Sequence, residues 1–171
     1  MSISLVRPTL EHKEESLAFK KEFFDYGEKE INGSEMLDQL DSYDNWLGTV
    51  QANADPKRFN PSWVLTDTFF AIDDTGRIVG IADFRHELKG FLLDFGHMGY
   101  SVRPSERRKG YATEILAQMK QVAKDAGFSA LQLSVERKNE PSKKTILKNG
   151  GKFKRSFEYE GEMADVYIIE L

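Results

Sequence analysis

Val102-Arg103-Pro104-Ser105-Glu106-Arg107-Arg108-Lys109-Gly110-Tyr111-Ala112-Thr113 joins an apolar, strand-like run ending at Val102 to a strongly periodic helix beginning near Gly110. Three consecutive cations stand just ahead of a glycine where that helix starts. A helix N-terminus offers backbone N–H groups without intrahelical partners, and its dipole favours negative charge. Glycine lets a ligand approach the backbone closely, and the cations add attraction. The stretch therefore reads as a site for a phosphate or pyrophosphate. Neither G-x-x-x-x-G-K-(S/T) nor G-x-G-x-x-G after a strand occurs, which excludes two common phosphate loops.

The helix after the loop, Tyr111 to Ala126, carries Ala112, Ile115, Leu116, Met119, Val122 and Ala123 at i, i+3, i+4, i+7 spacing and ends at Gly127. That stripe is core, and it fixes the helix end that holds the anion. Ahead of the loop, Phe91 to Val102 reads as one strand interrupted by Gly96 and Gly99, glycines that mark a bulge or a close backbone approach. Before it, Trp63–Ile72 and Arg77–Leu88 flank the turn Asp73-Asp74-Thr75-Gly76 and form a hairpin. Ile3–Arg7 opens the chain as a strand. Thr9 then caps a helix with Leu10, Leu17, Phe23 and Phe24 on one face. Glu28 to Pro61 is rich in Gly, Pro, Asp and Asn, with scattered anchors at Met36, Leu40, Trp46 and Leu47, and reads as one or two short helices plus loop, where specificity often resides.

After the long helix, Ala130–Glu136 alternates as a strand. Asn139 caps a helix that contains Pro141 and runs to about Lys148. Lys152–Tyr159 and Ala164–Leu171 close the chain as a hairpin. The 171 residues are expected to form a single domain, 1–171.

Arg107-x-x-Gly110-x-Ala112 resembles the (Q/R)-x-x-G-x-(G/A) signature of the GCN5-related N-acetyltransferase (GNAT) superfamily, and the element order resembles a bacterial-type member over nearly the whole chain. The resemblance implies an α/β (α+β) fold: the acyl-CoA N-acyltransferase architecture, a mixed, mostly antiparallel sheet of about six to seven strands flanked by about four helices. It also implies acetyl-coenzyme A as cosubstrate. Backbone groups of Tyr100, Ser101 and Val102 would pair with the pantetheine arm as with an added strand. Amides and side chains of Arg107, Arg108, Lys109, Gly110, Tyr111, Ala112 and Thr113 would hold the pyrophosphate. Asn139, Ser142 and Lys143 would contact pantetheine and nucleotide.

The family's second signature places a tyrosine, the usual proton donor to the departing thiolate, where this chain has Ile146. A free thiol has pKa ~8.5, so thiolate leaves tolerably without help. Tyr100 or Tyr111 could supply a hydroxyl instead. An alkyl amine of pKa ~10.4 must lose a proton before it attacks. His97 and Glu136 are the candidate bases, beside Asp94. Amides near Met98 to Tyr100 would stabilise the oxyanion.

With 24 Lys+Arg against 28 Asp+Glu the chain is mildly acidic, which argues against nucleic acid as a partner. There is no cysteine, so an acyl-cysteine route is excluded. His12, His86 and His97 lack metal-ligand spacing, so no metal is expected. No run suits a signal peptide or a membrane span, which gives the expectation of a cytoplasmic protein without membrane contact. The reading is an N-acetyltransferase acting on a small-molecule amine. A protein N-terminal or lysine acetyltransferase, and a non-catalytic acyl-CoA sensor, stand as alternatives. Many members of the family dimerise, so a homodimer is also admitted, although no stretch specifies an interface.

Overall fold

The computed structural model describes residues 2–171. The elements run β1 (Ile3–Val6), α1 (Lys13–Asp25), α2 (Tyr43–Asn53), β2 (Thr66–Asp73), β3 (Ile78–Arg85), α3 (Leu92–Phe95), β4 (Met98–Val102), α4 (Tyr111–Asp125), β5 (Ala130–Glu136), α5 (Glu140–Lys148), β6 (Lys152–Tyr159) and β7 (Glu162–Glu170). One sheet has the order β1-β2-β3-β4 and the other β5-β7-β6. Every ladder among the described residues is antiparallel. The parallel contribution to the expected mixed sheet is missing because β4 and β5, linked through α4, touch at one end and then part. Their junction is an isolated bridge between Gly96 and Leu133, with the His97 N–H donating to the Gln132 carbonyl at 2.8 Å.

Two clusters of apolar side chains cover the two faces of the first sheet. On one face Ile115, Leu116, Met119 and Ala123 of α4 pack on Ala82, Phe84 and Met98, and on Leu131 and Leu133 of β5. On the other, Phe19 and Phe23 of α1 and Trp46, Leu47 and Val50 of α2 pack on Phe70, Ile78 and Ile81. Fully burying one such side chain stabilises by roughly 1.5–3 kcal/mol, so both helical layers are firmly docked.

Four expectations change. The run from Phe91 is not one strand. Residues after the Lys89-Gly90 turn coil into α3, and Gly96, at φ +87°, ends that helix before β4 begins. A Cβ at Gly96 would collide with the Gln132 carbonyl, so glycine here closes the seam between the sheets. In α1 the buried face is Ser16, Phe19 and Phe23, while Leu17 and Phe24 are exposed and Leu10 lies in a preceding 3-10 turn. Met36 is exposed, and Ile31 and Leu37 anchor that segment instead. Gly161 and Glu160, both at positive φ, make the tight turn of the β6–β7 hairpin, so β7 starts at Glu162.

Candidate active site

The parting of β4 from β5 opens a cavity of about 830 Å³. Its walls come from β4 (Met98, Gly99, Tyr100), β5 (Leu133 to Glu136), the start of α5 (Asn139, Ser142), α3, the segment at Glu30 to Gly33, and the β6–β7 turn. The phase of the β3–β4 ladder decides what β4 offers to it. The Arg85 N–H donates to the His97 carbonyl and the Arg103 N–H to the Val79 carbonyl at 2.8 Å, which makes odd-numbered β4 residues the hydrogen-bonded ones. Residues between them turn both N–H and C=O away from β3. Met98, Tyr100 and Val102 therefore direct their backbone groups towards the gap, an edge that an extended chain can join. The Gly99 N–H is not among these donors, since Asp83 Oδ1 accepts from it at 2.7 Å.

Beyond Val102 a short 3-10 turn, Pro104–Glu106, leads to Arg108 at φ +64° and Gly110 at φ +86°. Left-handed residues interspersed in a turn bring successive N–H groups onto one concave side. Gly110 caps α4 without a side-chain hydrogen bond, so the amides of Tyr111, Ala112 and Thr113 are left to an outside acceptor. The three cations are less free than their sequence suggests. Arg107 makes a two-pronged pair with Glu28 at 2.6 and 2.8 Å and lies over the Phe23 ring. Lys109 pairs with Glu106 at 3.0 Å. Arg108 has no ion pair among the described residues and is exposed.

At the start of α5, Asn139 Oδ1 accepts from the Ser142 N–H, so only its amide NH₂ remains for a ligand. Ser142 Oγ sits 2.8 Å from the Tyr100 hydroxyl. Burial pushes the Tyr100 phenol up to about 12, so it stays protonated across the working range and acts as a hydrogen-bond donor. Lys143 pairs with Glu140 at 3.3 Å. Ile146 is buried in the core against Gly151 and presents nothing to the cavity.

The predicted residues divide between places. Tyr100, Glu136, Asn139 and Ser142 share the cavity wall; Arg107 to Thr113 form the adjoining loop; Ser101 turns its hydroxyl to the Asn32 carbonyl at 2.7 Å. His97 stays out of the cavity. Its Nδ1 accepts from the Gln132 N–H at 2.9 Å, its ring packs against Phe84 and Phe128, and burial, Arg85 and His86 hold its pKa down. Asp94 pairs with Arg155.

One group escaped the sequence reading. Glu35, in the segment between α1 and α2, hydrogen-bonds with Asp83 of β3 and accepts from the Trp63 indole at 3.1 Å. Asp83 is 1% exposed and also accepts from Arg85 at 3.0 Å. Burial above all, then the Asp83 charge, pushes the Glu35 carboxyl up to about 8, so Glu35 keeps its proton through neutrality. The segment is fixed over β4 by Gly33: a Cβ there would strike the Gly99 carbonyl and come 2.7 Å from the Tyr100 nitrogen. Glu35 and Met36 both have positive φ, a strain of ~1–3 kcal/mol each that the surrounding contacts must hold. Only the tolerance of a turn-rich stretch hinted at this in the sequence.

Among the described residues no cluster of His, Asp and Glu is placed to hold a metal, and no helix is long and apolar enough to cross a membrane. The family model of the acetyltransferase (GNAT) domain matches residues 3–152. No curated protein matches the sequence. Solved structures share the fold at low identity. RimL, a ribosomal L7/L12 α-N-protein acetyltransferase solved with coenzyme A, superposes with a TM-score of 0.73 at 13% identity, covering 100% of this chain and 95% of its own. The microcin C7 self-immunity acetyltransferase MccE, solved with acetyl-CoA and AMP, gives 0.72 at 15%, covering 99% and 92%. The GNAT domain of S. lividans PAT gives 0.62 at 15%, covering 99% and 89%.

Proposed function

The chain belongs to the GNAT acetyltransferase family, and from that premise we propose that it is an acetyl-CoA-dependent N-acetyltransferase that moves the acetyl group directly to a small primary amine in a ternary complex. The observation that carries the reading is the continuous run from the open β4 edge at Tyr100 and Val102 to the unpartnered amides at the start of α4. An extended pantetheine arm suits the first and a pyrophosphate the second. Arg108 supplies the free positive charge. Asn139 and Ser142 face the arm from α5, with Lys143 beside the nucleotide.

The amine nitrogen forms a C–N bond to the thioester carbonyl carbon, the C–S bond breaks, and the electron pair leaves on sulfur. The Met98 and Tyr100 amides point to where the oxyanion forms, an interaction worth ~3–4 kcal/mol per donor. The Tyr100 phenol gives the departing thiolate a hydrogen bond and keeps its proton, because its pKa of about 12 lies well above that of a thiol, ~8.5. The proton lost by the amine passes to the ionised form of Glu35, whose carboxyl feels the charge of Arg85 on the cavity wall. A base with pKa near the working pH contributes ~10²–10⁴-fold. Glu136 is the competing base, exposed on the cavity wall. Glu35→Gln should abolish most turnover while acetyl-CoA still binds; an unchanged rate would transfer the role to Glu136.

Calorimetry with acetyl-CoA and with desulfo-coenzyme A tests the cofactor assignment. Binding of neither at millimolar concentration would sink it. The burial of Ile146, which leaves the family's tyrosine position without a hydroxyl, favours one second reading: an acyl-CoA sensor without turnover. Tight binding with no thiol release across a panel of amines and peptides would select the sensor.

A further inference from the structure

The mouth of the cavity, on the side away from α4, is built from two kinds of group. Glu30 comes from the segment after α1, and Glu160 and Glu162 come from the β6–β7 turn opposite. Between them stand the aromatic rings of Phe91, Phe95 and Tyr159. Tyr159 packs edge-on to Phe95 at 4.9 Å between centroids, and Phe91 stands 5.8 Å from Phe95. Glu160, which hydrogen-bonds with the Tyr159 hydroxyl, and at longer range Glu30 both act on that hydroxyl, so the two carboxylates lie near the polar edge of one exposed ring.

The charge at this mouth is not balanced from within. Lys138 bridges to Glu162 at 3.0 Å and lies 3.9 Å from Glu136. Arg85, the one cation on the cavity wall, is spent on Asp83 and on the Gly96 carbonyl. Glu30 and Glu160 have no ion pair among the described residues. Unpaired carboxylates and aromatic rings lining one cavity form an environment that an alkylammonium group prefers, through charge attraction and the ring quadrupole. An anionic or purely apolar acceptor would leave these charges uncompensated.

We propose that the acceptor is an alkyl diamine or longer oligoamine, whose far ammonium stays protonated and docks at Glu30 and Glu160 beside Tyr159 while the near amine is acetylated. This rests on the acetyltransferase reading of the same cavity. The far ammonium sets the chain's direction, so the neutral end is delivered to the thioester. The two carboxylates are exposed, so each pair contributes modestly, and with the ring the preference amounts to about tenfold.

The test measures binding of butylamine, 1,4-diaminobutane and a linear triamine to the protein saturated with coenzyme A, by calorimetry, alongside kcat/KM for each in a thiol-release assay. Both diamine and triamine should bind about tenfold more tightly than butylamine. That preference should shrink to under about threefold in the Glu30→Gln/Glu160→Gln double variant, and fall as salt is raised through about 0.5 M. Equal affinities for monoamine and diamine, or a preference intact in the double variant, would overturn the proposal even if acetyl-CoA binds normally. A lysine-containing tripeptide favoured over every diamine would overturn it in favour of a protein acceptor. Failure of acetyl-CoA to bind at all would instead strike the parent reading, and diamine binding would then be measured on the free protein.

Discussion

The two halves of the cavity were assembled from different kinds of sequence. The half proposed for the donor, from Met98 to Thr113 with Asn139 and Ser142, offers mostly backbone groups from consecutive elements. The acceptor half draws Glu30 and Gly33 from one loop, Arg85 from β3, and Tyr159, Glu160 and Glu162 from a distant turn, with Glu35 and Asp83 close to Arg85 outside its lining. In the first, the polar groups are main-chain amides set by φ and ψ. In the second they are side chains set by packing across the sheet. The donor half should therefore break when backbone geometry changes, and the acceptor half when a charge or a contact changes.

The largest effect should come from the residue that fastens the donor strand to α1. Arg103, 5% exposed, leaves β4 to pair with Glu15 and Glu22 of α1 and with the Ile78 carbonyl. Arg103→Ala strands those carboxylates and should cost about 3–5 kcal/mol, read as a lower urea midpoint. Gly110→Val forces a branched residue into a left-handed position and blocks the loop. It should weaken acetyl-CoA binding by about 100-fold, or ~2.7 kcal/mol, and cost about 1–3 kcal/mol of stability through the strained φ. Gly33→Ala makes the reciprocal cut. It should destabilise by about 1–3 kcal/mol through its strained φ and its clash with β4, and disturb the acceptor KM more than acetyl-CoA affinity.

The pH response should also separate the halves. The folded Glu35 carboxyl is raised to about 8 from an ordinary 4.5, so the native state holds a proton that the unfolded chain has lost. Its contribution is fully present below about pH 4.5 and disappears as pH rises through about 8. Melting temperature should fall across that window in the wild type and fall less in Glu35→Gln, while turnover rises through the same range. A parallel pH dependence in both proteins would remove Glu35 from this role. The smallest effect should be Tyr100→Phe, which removes a hydrogen bond to the thiolate but no proton transfer; a drop in kcat of under about tenfold is expected.

The same contrast explains what could be read beforehand. Arg107-x-x-Gly110-x-Ala112 was legible because the motif, the strand before it and the helix after it are contiguous. The order of elements and the hairpins followed from turn residues such as Asp73 and Gly76, whose side chain and φ act locally. Local reading failed where distant backbone decides. Gly96 looks like a strand glycine until the Gln132 carbonyl is seen against it, and α3 was absorbed into β4 for that reason. Ser16 is buried and Leu17 exposed because the docking of α1 on Ile78 and Ile81, not hydrophobicity, chose its face. The pull of Glu28 on Arg107 and of Asp83 on Glu35 crosses long stretches of chain, and no spacing rule connects them.

The bare contact between Gly33 and Gly99 has a further meaning. No side chain cushions the acceptor loop from the strand that carries the Met98 and Tyr100 amides, and close-packed backbone transmits displacement instead of absorbing it. On the mechanism proposed above, an amine that seats the loop would trim the aim of the groups that polarise the thioester, and arrival of the second substrate would set the reactivity of the first.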